Sequence, residues 1–374
     1  MRIGLDYRPV TAAPNSGIAR QVLAMEEAIL SEPGVELLRF TAAPADHPHR
    51  NVAVCPPWQS PAHGLHRPRE RWRFEMDFLP ARMRELMPDV YIATANTGLP
   101  VGCPGATRYV LLLHDLFQLT MDNHHSHWIK ARAYRWIDRF AIGYSVARAH
   151  AIWVPTQFTA SEVARLFPAA ESRLALLPNA VPDCQADLSL VLPFDLPARY
   201  WLVVGMREPR KNMPWFVRQW AQARTDHPAV PPLIAVGSPS DLPPELRTLP
   251  GLLIISQLSD PQLRVLYARA DRLWQPSRAE GFGLPVVEAL VQGTPVAVAH
   301  GSALDEVAPP DAPRFDPDDA VALRAMMAKL ALQPDRNTEE KQRLREWAGQ
   351  FAMPAYRQRL WGLLNGLMEQ GKAA

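Results

Sequence analysis

A chain of 374 residues is longer than one hydrophobic core usually serves, so two domains are expected. With 48% hydrophobic and 21% charged residues the composition is that of a folded protein and excludes wholesale disorder. A formal charge of +2 is too small for nucleic acid to be the main partner, and no apolar window approaches the length of a membrane span.

Residues 1–10, MRIGLDYRPV, carry no apolar stretch after the arginine, so no secretory signal is expected and the chain reads as cytoplasmic. Cys55, Cys103 and Cys184 are odd in number, far apart and in no CxxC pair, which predicts buried or half-buried free thiols rather than a disulfide framework or a zinc site. Two compositional features stand out. There are 38 prolines against 19 glycines, implying many stiff segment boundaries. Of 40 basic residues only Lys130, Lys211, Lys329, Lys341 and Lys372 are lysines.

Short apolar runs alternate with helical patterns along the chain. Strands are predicted at Ile3–Asp6, Val35–Phe40, Val90–Ala93, Tyr109–His114, Ala151–Pro155 and Leu174–Pro178, with helices at Ile18–Leu30, Trp128–Ala147 and Thr159–Leu166. Pro182–Pro197 lacks helical periodicity and reads as a seam, with 183–197 as linker between a first domain, 1–182, and a second, 198–350. Beyond it strands are predicted at Leu202–Gly205, Leu233–Gly237, Leu252–Ser256, Arg272–Gln275 and Val296–Ala299, with helices at Met213–Ala223, Pro261–Ala268 and Pro285–Gln292. A last helix, about 354–374, carries Trp361, Leu364 and Leu367 at helical spacing and is expected to pack back on the first domain. Such alternation, occurring twice, predicts an α/β chain of two doubly wound parallel sheets.

The strongest local signal is Ser277–Ala299, SRAEGFGLPVVEALVQGTPVAVA. A strand leads through a glycine-containing turn into a helix whose first turn holds Pro285 and whose end is closed by Gly293. A loop of this kind offers unpaired backbone N–H groups and the positive end of a helix, which suits a phosphate. Glu280 and Glu288, with seven residues between them, flank it. Acids beside an anion make sense if they accept hydrogen bonds from hydroxyls of the same ligand, as on a nucleotide sugar. The alternative is a loop acid and a solvated helix residue. No third glycine completes a dinucleotide fingerprint after Gly281 and Gly283, which disfavours a nicotinamide enzyme. A second signal, Val203–Asn212, follows a strand and crowds Arg207, Arg210 and Lys211 at the next helix, where they would clamp a diphosphate or form a solvated basic turn.

Together the EPRKN loop, EGFGLPVVE, QGTPVAVA and GSALDEVAPPDAPRFDPDD resemble the donor-binding half of retaining glycosyltransferases of family GT4, with the GT-B fold. NSGIARQV, VLLLHDL and the VPTQFTASEVARLF to LPNAV stretch agree in order with the first half, so the resemblance runs from Met1 to about Asp319. The EPRKN variant is similar to mannosyltransferases of bacterial surface polysaccharide synthesis. The resemblance implies that Glu288 holds the donor ribose and Glu280 a hydroxyl of the transferred sugar. Phe282, Gly283 and Leu284 would offer backbone N–H groups, and Lys211 would grip the diphosphate. Gly17 would admit the first domain's backbone to the phosphates, and His114 would sit at the reacting sugar. The catalytic set it implies is therefore His114, Lys211 and Glu280, with donor-binding residues Gly17, Arg207, Arg210, Lys211, Glu280, Phe282, Gly283, Leu284 and Glu288. The base would lie along Gln257–Asp260, and Glu306 stands at a usual acidic position. Two departures are evident. Many members carry an arginine where this chain has Met206, so Arg207 or Arg210 would supply the charge, and Asp305 replaces a common proline.

Other features have plain readings. His124, His125 and His127 lack the carboxylate or cysteine spacing of a metal site. Asp316 and Asp318 spell DxD but precede a helix, which predicts capping. Residues 67–84, RPRERWRFEMDFLPARMR, hold six arginines among apolar residues, either a solvated face or a surface for an anionic lipid-linked acceptor or membrane leaflet. The expected activity is metal-independent, retaining transfer of a hexose from a nucleotide sugar, with GDP-mannose preferred, to a glycan or lipid-linked acceptor, at most peripherally at the inner membrane face. GDP-rhamnose or a UDP-sugar as donor, an epimerase of the same fold, and a non-catalytic scaffold are the alternatives.

Overall fold

The computed structural model describes residues 1–41, 52–54, 68–121, 128–333 and 337–370. Cys55, Arg67, His124, His125 and His127 lie outside the described residues. The chain forms two compact units, Met1–Ala180 with Met353–Ala374, and Val181–Ala352.

In the first unit β1 (Arg2–Asp6) is followed by α1 (Arg8–Ala12), α2 (Gly17–Leu30), β2 (Glu36–Thr41), β3 (Val52–Val54) and α3 (Pro68–Arg73). After a π-helical turn at Phe74–Phe78 come α4 (Leu79–Leu86), β4 (Val90–Ala93), β5 (Arg108–Leu112), α5 (Phe117–Thr120), α6 (Trp128–Arg148), β6 (Ala151–Val154), α7 (Gln157–Leu166) and β7 (Leu174–Leu176). The seven strands run parallel in the order β3-β2-β1-β4-β5-β6-β7. β3 was not expected from the sequence. Both faces of the sheet are covered, so β4, VYIA, is buried at every position instead of alternating. α2 starts where Ser16 accepts from the Ala19 N–H at 3.1 Å, and it buries Val22, Met25 and Ile29 at helical spacing.

The second unit contains β8 (Trp201–Val204), α8 (Met213–Asp226), β9 (Leu233–Val236), β10 (Leu252–Ile255), α9 (Asp260–Arg269), β11 (Arg272–Gln275) and α10 (Leu284–Val291). β12 (Val296–Ala299), α11 (Leu304–Val307), β13 (Arg314–Phe315), α12 (Ala320–Ala331) and α13 (Thr338–Gly349) complete it. Its parallel strands lie in the order β10-β9-β8-β11-β12-β13. The order reverses between β8 and β11, and in open sheets a ligand binds beyond the carboxyl ends of the strands at such a switch point. β13, also unexpected, is two residues long and too short to show a period.

The chain then returns to the first unit as α14 (Met353–Gln370). Tyr356, Leu360, Leu364 and Leu367 of α14 are buried in one cluster with Ile3, Leu5, Val22 and Met25, and the Trp361 indole donates to the Ala28 carbonyl at 3.1 Å. At about 1.5–3 kcal/mol for each large apolar side chain buried, this helix is a substantial part of that core.

Residues 183–197, expected as linker, fall within the second unit. Leu192, Phe194 and Leu196 pack on the core of the second unit, and Gln185 and Ala186 hydrogen-bond Val291 and Gln292 at 2.9 and 2.8 Å. Apolar side chains in this proline-punctuated stretch bury without helical period, which is why it read as a seam. Cys184, expected to be at least half-buried, is exposed, while Cys103 is half-buried. Asp316 and Asp318 do not cap α12. Asp319 does, accepting from the Ala322 N–H at 2.9 Å, while Asp316 accepts from the Asp318 N–H and Asp318 pairs with Arg278 at 2.5 Å.

Candidate active site

Two loops leave the carboxyl ends of β8 and β11, the neighbours at the switch point. The first turns at Gly205, φ +80°, passes Met206 and Arg207, and forms a 3₁₀ turn at Pro209–Lys211. The second runs from Gln275 to Gly283, the left-handed residue, φ +97°, at which α10 begins. They are pinned together where the Arg278 N–H donates to the Arg210 carbonyl at 2.8 Å.

Glu280 stands at the centre. It is buried, and its Oε1 accepts from Lys211 Nζ at 2.5 Å, Ser277 Oγ at 2.8 Å and Gln275 Nε2 at 3.0 Å. Its Oε2 accepts from Arg210 Nη1 at 2.6 Å. Burial alone would raise the carboxyl pKa, but Lys211 and Arg210 outweigh it and hold the group down at about 2. Arg210 is fixed further by Glu208 at 2.6 Å and the Ala279 carbonyl at 2.9 Å, so its charge is committed to the fold. Burial lowers and the two glutamates raise the Arg210 pKa, with a net upward shift.

Beside this cluster α10 opens with no side-chain cap. Among the described residues the N–H groups of Phe282, Gly283 and Leu284 donate to no protein atom, and Pro285 brings none. A Cβ built on Gly283 would stand 2.6 Å from Leu304 Cδ2, so only glycine meets both the left-handed φ and the close approach. Phe282 is buried, edge-on to Phe351 with ring centroids 5.3 Å apart, which fixes the loop. Glu288, one turn into α10 and half-buried, accepts from the Tyr267 hydroxyl at 2.7 Å.

The structure thus brings together Arg210, Lys211, Glu280 and the start of α10, with Glu288 on the same helix. Arg207 stands apart, exposed and without an ion pair among the described residues. Met206 is buried with its Cε 2.9 Å from where a Gly237 Cβ would lie, so this position packs the core instead of offering charge. Gln257 is exposed at φ +59°, just ahead of the Ser259 cap of α9, and Glu306 is exposed on α11. Asp305 secures its turn, accepting from the Gly301 N–H at 2.7 Å and pairing with Arg314 at 3.3 Å.

In the first unit Gly17 is the exposed first residue of α2. His114 follows β5, its N–H donating to Asn96 Oδ1 at 2.8 Å and its Nε2 lying 3.0 Å from the Thr94 carbonyl. A carbonyl only accepts, so Nε2 carries the proton and Nδ1 the lone pair. Burial lowers the imidazole pKa to about 4 despite that hydrogen bond, so His114 is neutral at neutral pH.

Sequence reasoning did not assign Gln275, Ser277 and Tyr267, which orient the two glutamates, nor Thr94 and Asn96, which orient His114. A glutamine ending the otherwise apolar strand RLWQ was the available signal, since a buried polar side chain needs a partner.

Residues 15–183 match the family described as Glycosyltransferase Family 4, and residues 198–332 the one described as Glycosyl transferases group 1. The chain is 30% identical over 242 residues, 61% of its length, to O-antigen chain mannosyltransferase B of Escherichia coli, covering 62% of that protein. It is 24% identical over 208 residues, 53% of its length, to O-antigen chain mannosyltransferase RfbU of Salmonella typhimurium, covering 55% of it. It therefore spans less than two thirds of either relative. Among solved structures, sucrose-phosphate synthase of Thermosynechococcus elongatus matches 99% of this chain and 100% of its own, with TM-score 0.73 and 19% identity. Anabaena HepE in complex with UDP-glucose matches 98% and 100%, with TM-score 0.69 and 16% identity. At such identities these two speak to the fold, which is GT-B.

Proposed function

Because the chain belongs to glycosyltransferase family 4, with the GT-B fold, we propose that it transfers mannose from GDP-mannose, with retention, to a glycan or lipid-linked hydroxyl in surface polysaccharide synthesis in the cytoplasm. The observation that carries the reading is the cluster of Glu280, Lys211 and Arg210 at the switch point, next to the uncapped start of α10. Mannose is supported by the two O-antigen mannosyltransferase relatives.

In this reading the diphosphate meets the N–H groups of Phe282, Gly283 and Leu284, Lys211, and Arg207, whose charge no carboxylate takes up among the described residues. Arg207 replaces the arginine missing at Met206, because Arg210 is held by Glu208 and Glu280. Glu288 accepts from the ribose, while Glu280 accepts a sugar hydroxyl on Oε2, to which Arg210 donates, Oε1 being taken up by Lys211, Ser277 and Gln275.

As the bond from the anomeric carbon to the diphosphate oxygen lengthens, positive charge grows on the ring and negative charge on the departing diphosphate. Lys211 and the α10 terminus are oriented for the latter in advance, which is where electrostatic catalysis gains most, and the exposed Arg207 adds its charge. The acceptor oxygen bonds the same face of that carbon and its proton passes to the leaving phosphate oxygen. No protein nucleophile or metal is required. In the first unit the lone pair on His114 Nδ1 is able to accept from a hydroxyl.

Lys211→Ala and Glu288→Ala are each expected to abolish mannosyl transfer while circular dichroism keeps the wild-type fold, with melting near wild type in Glu288→Ala and lowered in Lys211→Ala, which strands the buried Glu280 carboxylate. Near-normal transfer by either variant refutes the reading. A thermal-shift comparison of GDP-, UDP- and dTDP-sugars tests the base, and a shift confined to UDP-sugars replaces guanosine by uridine.

A further inference from the structure

α6 carries an outward face that the fold does not use. Trp136 and Phe140, one turn apart, are 66% and 72% exposed, with Ile137 beside them at 38%. At 100° per residue they share one side of the helix, while Ile142, Ser145 and Val146 are buried on the other. Arg132, Arg139 and Arg148 flank the aromatic side and are exposed. The single carboxylate of α6, Asp138, is turned to Arg71 of α3 at 3.3 Å. On the element tied to α6 by that pair, Trp72 is 60% exposed and Met76, one turn on in the π-helical turn, 41%.

This stripe of large rings sits between exposed arginines with no exposed acid on its helix. Indole rings and arginines side by side suit the boundary of a lipid layer, where rings enter the headgroup region and guanidinium groups meet phosphate. The whole chain has a formal charge of only +2, so this local surplus is a property of the face.

We propose that α6, supported by Trp72, docks on the surface of an anionic lipid bilayer. The stretch 67–84 was the sequence's candidate for such a surface, but Asp77 within it and Glu85 directly after it are exposed, and α6 carries the cleaner face. The proposal goes beyond the transferase reading and stands without it, because vesicles report docking with no nucleotide present.

The test is co-sedimentation of the full chain with vesicles of phosphatidylcholine alone and of phosphatidylcholine mixed with phosphatidylglycerol. Binding is expected to the mixed vesicles, to weaken with salt, and to be slight to phosphatidylcholine. Trp136→Ser with Phe140→Ser is expected to weaken partitioning by at least about tenfold per ring. Arg132→Gln with Arg139→Gln should weaken it by about fivefold per charge. Thermal melting and the thermal shift with nucleotide sugar should stay at wild-type values in both variants, since these side chains are exposed. Absence of binding, equal binding to both vesicle types, or full binding by the ring variant overturns the proposal. So does wild-type self-association that the ring variant abolishes, because the face would then be a contact between copies.

Discussion

Glu280→Gln isolates the electrostatic centre of the second unit. The substitution keeps shape and length but removes the charge facing Lys211 and Arg210. The carboxyl pKa falls from an ordinary 4.5 to about 2 in the fold, and at about 1.4 kcal/mol per pH unit that difference stabilises the native state by about 3 kcal/mol. Breaking a buried ion pair from one side costs about 3–5 kcal/mol, which agrees. For a unit of this size each kcal/mol moves the midpoint by about 2–4 °C, so the melting transition of the second unit should drop by about 6–12 °C at pH 7. Because the folded pKa is depressed, the stabilisation is complete above pH 4.5 and disappears as pH falls towards 2. Scanning calorimetry from pH 7 to pH 3.5 should therefore show a constant gap between wild type and variant down to about pH 4.5 and a narrowing one below. Adding Lys211→Met to the variant should recover part of the loss, since one stranded cation is then removed. An unchanged midpoint at pH 7, or a gap that does not narrow on acidification, refutes the assignment of Glu280 as the charge that holds both loops.

Gly283→Ala should cost at least about 2 kcal/mol by the urea midpoint of the second unit, from the left-handed φ of +97° and the contact with Leu304. Arg207→Ala should weaken nucleotide-sugar binding by about 10- to 100-fold in calorimetric titration and leave melting unchanged, since Arg207 is exposed and pairs with nothing described in the fold. His114, lowered from 6.5 to about 4, contributes stability that is complete above pH 6.5 and lost as pH falls through 4, so the first unit should lose about 3 kcal/mol across that window. In His114→Gln the dependence over pH 6.5–4 should flatten by that amount in pH-resolved denaturant melts.

What the sequence made legible follows the length and contrast of each signal. β11 and β12 fall at the predicted residues, Arg272–Gln275 and Val296–Ala299, because each is an apolar run bounded by turn chemistry. β13 has two residues and could not show a pattern. Arg210, Lys211 and Glu280 were all named from their loops, but their ion pairs span 70 and 69 positions and exist because β8 lies beside β11. Strand adjacency is a property of the sheet and leaves no local trace. The same holds for Met206, whose burial under Gly237 depends on β9 lying beside β8. The loop from Asp183 to Pro197 misled for the opposite reason, since its prolines are conspicuous and its three half-buried apolar anchors are not.

The return of α14 sets an order of assembly on the ribosome. The second unit is one continuous stretch, Val181–Ala352, and all of its core has emerged before α14 is made. Most of the first unit is made before it, yet its sheet lacks Tyr356, Leu360, Leu364 and Leu367 until α14 has emerged as well. Domains usually fold in the order of their synthesis. Here the half that is translated first is completed last, and until then the α2 face that α14 covers is an open apolar surface on the nascent chain.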